Sequence, residues 1–313
     1  MIGLALVFVL IVAALSVAAA VALALGDRTL RRRGPRAERT AATVAAVAPV
    51  AVALVVVVAL LVHGAVAVDH CDAHDHHAHL CLAHGGGWLE LAWAVAAVGA
   101  AAATVGARAT LLALRYLATA RAMARLRRVG TRVDDVWVVD SPRTFCFVAG
   151  LRRPQIYAST AAWHGLDRDE RAAVLAHERG HIAHGDLVRR LGLELALLVA
   201  APLVGAGIVR RWAHATERLR DRDAAQQVGD PEPVARALVR MCRLSTRVAT
   251  VGFGLSAADE VAGRVDALLA DDAPGHRVAA IVGTAALTIV VVVAVIAATH
   301  AGPLHHALES LLG

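Results

Sequence analysis

Long uncharged runs constrain this chain more than any other feature. Residues 2–26, 41–68 and 278–299 contain no Asp, Glu, Lys or Arg, and 88–107 contains only Glu90. About 20 apolar residues suffice to cross a bilayer as a helix. The spacing therefore predicts four membrane spans at 2–26, 41–68, 88–107 and 278–299. A cleaved signal peptide fits the first run poorly, because such signals begin with basic residues and have a short apolar core. Outside these runs and a shorter apolar stretch at 191–209, the 313-residue chain is polar enough to fold in water.

Charge placement orients the spans. The chain has no lysine, so all 32 basic residues are Arg, and the formal net charge is +6. A basic balance can indicate nucleic-acid binding. Here Arg28, Arg31, Arg32, Arg33, Arg36 and Arg39 follow the first run, and Arg108, Arg115, Arg121, Arg125, Arg127 and Arg128 follow the third. Basic residues beside spans mark the inner side of the membrane. The expectation is an external N-terminus, an internal 27–39 segment, an external Arg-free loop at 69–87, and a stalk returning the chain to the cytoplasm. Trp88 and Trp93 suit an interfacial position. The expected partners are then a lipid bilayer and a protein substrate, without direct contact with nucleic acid. The absence of lysine also excludes a Ser-x-x-Lys acyl-enzyme site.

Three units follow. Residues 1–128 hold three spans, 129–275 form a soluble unit with a membrane-associated apolar piece at 191–209, and 276–313 hold the last span and a short external tail. Within the second unit, Val136–Val139, Phe145–Ala149 and Gln155–Ala158 read as strands punctuated by Pro142, Gly150 and Pro154. A helix is expected from near Asp167 to about His184. Asp167 and Glu170 have capping-box spacing, and Gly185 suits the stop.

That helix carries Leu175-Ala176-His177-Glu178-Arg179-Gly180-His181. Positions i and i+4 share a helix face, so His177 and His181 can present two imidazoles to one cation. Glu178 beside them can take a proton from an attacking water, which is the H-E-x-x-H arrangement of zinc peptidases. Such sites need a third protein ligand and one open position. The long form with a third His is excluded, because His184 and Leu187 stand where it needs Gly and His. A downstream carboxylate remains. Glu217 in Glu217-Arg218-Leu219-Arg220-Asp221 is the expected ligand, with Asp221 four residues on as a partner for a ligating His. Asp186 and His184 are further candidates for supporting the metal ligands. If His181 and Glu217 share one metal, the apolar stretch 191–209 between them must turn back, or lie along or partly within the bilayer face, rather than cross; Pro202, Gly205 and Gly207 are places for the break. His214 and Tyr157 are candidates for the oxyanion partner, and strand 155–158 for pairing with extended substrate.

The run Ala149-Gly150-Leu151-Arg152-Arg153-Pro154-Gln155-Ile156-Tyr157, then Leu166-Asp167 and Ala172 to Glu178, with Asp186 and the stretch Glu217 to Asp223, resembles the M56 peptidases, antirepressor proteases of the BlaR/MecR type. The resemblance covers roughly residues 125–270. It implies a mainly α, polytopic membrane protein with a zincin-like (gluzincin) α+β peptidase domain. The metal would be Zn²⁺, held by His177, His181 and Glu217. The substrate it implies is a winged-helix repressor of the BlaI/MecI type, cleaved on the cytoplasmic side of a bacterial inner membrane. Arg220 stands where that family has a small residue or Cys, which leaves Asp221 and Asp223 open as alternatives to Glu217. The expectation is of a member of that family without the penicillin-sensor domain.

Two other readings compete. An M48 (HtpX-like) protease would remove damaged membrane proteins. A receptor with a degenerate peptidase region would only respond to metal, and for that the loop 69–87 is relevant: His70, His74, His76, His77, His79 and His84 lie there with Cys71 and Cys81. Such density suits Zn²⁺ or Cu²⁺, or a disulfide on the oxidising side.

Overall fold

The computed structural model describes residues 2–66, 92–200, 202–246 and 254–269, plus short helical pieces between 281 and 296. The His/Cys loop, and most of the final span and tail, lie outside the described residues. The described chain is mostly helical. Helices α1 (Ile2–Leu25), α3 (Pro35–Val66) and α4 (Ala92–Val129) are long and apolar enough to cross a membrane. A short α2 (Asp27–Arg32) links the first two. Helix α3 starts six residues earlier than its apolar run, so Glu38 and Arg39 are already helical. Helix α4 is one rod that carries both the third span and the basic stalk.

A small sheet follows: β1 (Thr131–Val133), β2 (Val136–Val139), β3 (Cys146–Ala149) and β4 (Gln155–Ser159), in the order β1-β2-β4-β3. Strand β1 has no apolar alternation and all three residues are exposed, so periodicity does not reveal it. Strands β2 and β4 run parallel, and β3 and β4 antiparallel. Val136, Ile156 and Ala158 form the buried face under Trp163, Leu175 and Ile182. Strand β4 is central, with both edges paired. It therefore has no free edge for substrate, and the expectation for 155–158 is corrected; β3 is an outer strand.

Helix α5 (Thr160–Gly165) leads into α6 (Arg168–Ala183). Asp167 caps α6, accepting from the amides of Asp169 and Glu170 at 2.9 and 2.8 Å, while Glu170 accepts from the Asp167 amide at 3.0 Å. This satisfies donors that a helix start leaves without intrahelical partners. Gly185 then adopts φ 62°, a left-handed conformation that favours glycine, and α7 (Asp186–Ala196) starts at once.

The apolar stretch 191–209 is divided between the end of α7 and the start of α8 (Pro202–Val228). At the end of α7, the carbonyls of Leu197, Leu198 and Ala200 accept hydrogen bonds of 2.7–2.8 Å from the Arg108 guanidinium of α4. One side chain thus satisfies acceptors that the helix end leaves over. Leu193, Leu197, Ile208 and Trp212 pack on Leu23 of α1 and on Ala41, Ala42, Ala45 and Ala46 of α3. The alanine face lets α3 approach α8 closely. Helices α9 (Pro231–Thr246) and α10 (Gly254–Leu269) close the other side, with Val234, Ala237 and Leu268 against Ala173, Ala176 and Ala224.

Candidate metal centre

Helix α6 places His177 and His181 one turn apart, and their Nε2 atoms face each other at 3.2 Å. Helix α8 brings Glu217 to the same point, its carboxylate oxygens 3.3 Å from His177 Nε2 and 3.5 Å from His181 Nε2. These three side chains form a group able to hold a metal ion, with one donor atom each within 4.8 Å of the others.

The remaining ring nitrogens decide what that group can hold. His177 Nδ1 lies 2.9 Å from Asp221 Oδ1, and His181 Nδ1 lies 3.0 Å from Asp186 Oδ2. A carboxylate at Nδ1 takes the Nδ1–H and leaves Nε2 as a lone pair. Two lone pairs and a carboxylate converging on one point repel unless a cation lies between them. The donor set therefore fits a divalent metal with two imidazoles and one carboxylate, which is a three-ligand zinc arrangement.

Without a metal a proton takes that place. Burial pushes the His177 pKa down, but hydrogen bonds to Asp221 and Glu217 outweigh it and hold it at about 10. Burial pushes Glu217 up, and His177 and Arg264 pull it to about 2. Burial raises the Glu178 carboxyl above its ordinary range. Glu178 is buried beside both imidazoles.

Two cavities meet at the centre and share Cys146, His177, Glu178 and Glu217. One, of about 190 Å³, continues between apolar groups that include Val174, Val234, Leu238 and Met241. The other, of about 340 Å³, continues past Phe147, Val148, Arg190 and Trp212. The Ser159 backbone N–H donates to Phe145 O at 3.0 Å. Hydrogen-bonded pairs alternate along an antiparallel ladder, so Phe147 and Ala149 also face β4, and Cys146 and Val148 turn their backbone groups away from it. The outward groups of β3 border the cleft.

His177, Glu178, His181, Glu217, Asp221 and Asp186 come together. Asp223 does not reach either imidazole of the pair; it lies 2.7 Å from Arg220 Nη1. His184 caps the end of α6 and bonds to Gly180 O and Arg220 rather than to either ligand, which corrects its assignment. Tyr157 is fully buried under Arg127, and His214 pairs with Glu260 at 3.2 Å; neither lines the cleft. Arg220, read as a departure, is a buried brace: its Nε lies 3.2 Å from Asp186. Arg264 was missed. From α10 it holds Asp221 with two hydrogen bonds, of 2.8 and 2.6 Å, and lies 3.3 Å from Glu217. Its only sequence signal is a place in an amphipathic run.

Comparison with known proteins bears on this geometry. The model of Peptidase family M48 matches residues 118–228, from the end of α4 to the end of α8. The chain is 39% identical over 64 residues to Protease HtpX of Aeromonas hydrophila, covering 20% of this chain and 22% of that protein. It is 42% identical over 64 residues to Protease HtpX of Vibrio atlanticus, with the same coverage. With that of Vibrio cholerae it shares 39% over 74 residues, 23% of this chain and 25% of the relative. The matched region thus spans no more than a quarter of these relatives. No solved structure matches the chain. These similarities point to the M48/HtpX group and overturn the M56 resemblance, and with it the repressor-cleaving role. The H-E-x-x-H turn and its capped helix follow from zinc chemistry and helix geometry, so they do not separate one zinc peptidase family from another.

Proposed function

We propose that this protein is a membrane-bound zinc metalloendopeptidase of the M48/HtpX type, gluzincin in its ligand set, that cleaves membrane-associated proteins in quality control. One observation carries the reading: the two Nε2 atoms and the Glu217 carboxylate converge beside a buried Glu178, at the junction of two cavities. His177, His181 and Glu217 would hold the zinc. A zinc ion there would supply Lewis acidity that polarises a scissile carbonyl and makes water easier to deprotonate.

The chain's own groups do the rest. Glu178 takes the proton from the attacking water and later delivers it to the departing amine. Its burial suits this, because a carboxylate with a raised pKa accepts a proton readily near neutral pH. The outward backbone of β3 at Cys146 and Val148 would pair with an extended substrate strand. Unfolded segments present such strands, which supports damaged proteins as substrates. The Arg residues at the ends of α1 and α4 support a cytoplasmic position for the peptidase unit; a reporter fused at residue 230 that reads external would refute that side.

The test uses the full chain in detergent. Wild type should hold one zinc and cleave an unfolded membrane protein. His177→Ala should lose the metal, and Glu178→Gln should keep it while losing cleavage. Cleavage that survives in Glu178→Gln would overturn the mechanism, and zinc without any cleavage in the wild type would favour a metal-responsive receptor.

A further inference from the structure

The zinc-site reading leaves one feature unexplained. Helix α3, a candidate membrane span, begins with an acidic and a basic residue that are both turned into the peptidase unit. Glu38 is buried, 3% exposed, and its carboxylate bonds to Arg218 of α8. Arg39 is largely covered, and its Nη1 lies 3.7 Å from Oδ1 of Asp186, whose other oxygen holds His181.

Membrane topology accounts for a basic residue near the end of a span, but carboxylates contribute little to it, and it does not require burial against protein. Burying charges is costly, so such groups are paired or used. The neighbours show the use. Arg218 follows Glu217 in sequence and lies three residues before Asp221, so a bond to Arg218 fixes the rotation of the α8 turn that presents both. Asp186 is 4% exposed and lies between Arg220 Nε at 3.2 Å and Arg39. Arg39 and Arg220 flank this carboxylate and fix the position from which its other oxygen meets His181 Nδ1. Attraction at 3.7 Å in a water-poor setting is weakly screened by salt.

We propose that membrane helix α3 supplies two positioning residues to the metal centre. Arg39 acts through Asp186 on His181, and Glu38 acts through Arg218 on the α8 turn that carries Glu217 and Asp221. This rests on the zinc-site reading above and goes beyond it: the peptidase unit is complete only when α3 is docked, so the membrane helix is part of the site rather than only an anchor.

The experiment measures zinc affinity of the full chain in detergent by competition with a chromophoric chelator, alongside the melting temperature of the metal-free protein. Arg39→Leu should weaken zinc about tenfold, the lower end for groups that orient ligands. Arg39→Lys should recover most of it, and Glu38→Gln should weaken it several-fold. The decisive comparison is with Asp186→Asn: in that background Arg39→Leu should change affinity less than twofold, because its route is already cut. Equal zinc affinity in wild type and Arg39→Leu would overturn the proposal. So would the same loss with or without Asp186, which would mark a general anchoring effect. If Arg39→Leu fails to fold, Arg39→Gln is read by the same criteria. Wild-type protein without zinc would overturn the site reading as well, and so is distinguishable from these outcomes.

Discussion

Oδ1 of Asp221 lies 2.9 Å from Nδ1 of His177, while the other nitrogen of that ring faces Glu217. The carboxylate fixes the ring's tautomer and strengthens Nε2 as a donor to metal. Asp221→Asn keeps the shape but removes the charge, and also one of the two acceptors that Arg264 uses. Zinc affinity should fall roughly 10- to 100-fold. Chelator competition checks this; an unchanged constant would show that Asp221 does not orient the ligand.

Metal uptake should release protons. His177 is held at about 10 in the metal-free protein, so its ring is protonated near neutral pH. A ligating imidazole must be neutral. Zinc binding at about pH 7.5 should therefore release about one proton. Calorimetry in buffers of different ionisation heat measures it, and zero release would contradict the protonated triad.

The same proton links pH to stability of the metal-free protein. The His177 pKa is raised from 6.5 to about 10, so its contribution is full below pH 6.5 and fades as pH rises through 10. The Glu217 pKa is lowered from 4.5 to about 2, so its contribution is full above pH 4.5 and fades as pH falls through 2. These are two ends of one interaction and count once. Melting temperatures measured with chelator should decline from pH 6.5 towards 10, and a rise over that range would refute the assignment.

Strand β3 owes its end to Gly150, which has φ 108°. A Cβ there would lie 2.7 Å from the Arg153 carbonyl oxygen, which is backbone and cannot swing aside. Gly150→Ala should cost about 1–3 kcal/mol, from a strained left-handed position and a clash. Thermal unfolding tests this; a melting temperature equal to wild type would show that the turn has an easy alternative.

Several features were legible in the chain alone because they depend on neighbours within one or two turns. The uncharged lengths set α1, α3 and α4, the Asp167–Glu170 pair set the start of α6, and the i, i+4 spacing put His177 and His181 on one face. Glu217 was within reach of the same reasoning, because a zinc site with two imidazoles needs a third donor. Family membership was less legible, since the short zinc-binding turn is a solution that separate families share.

What only the tertiary structure decided concerns residues far apart in sequence. The order of four short strands leaves β3, not β4, at the edge beside Glu178. Arg264 reaches Asp221 from 43 residues away because α10 docks on α8. Arg108 closes the end of α7 from 90 residues away, and Arg39 approaches Asp186 from the start of a membrane helix. An arginine side chain reaches a little more than the 5.4 Å of about one helix turn in any direction, so its sequence position says little about which carboxylate it meets. Packing alone makes that choice, and in this protein packing assembles the surroundings of the two histidines.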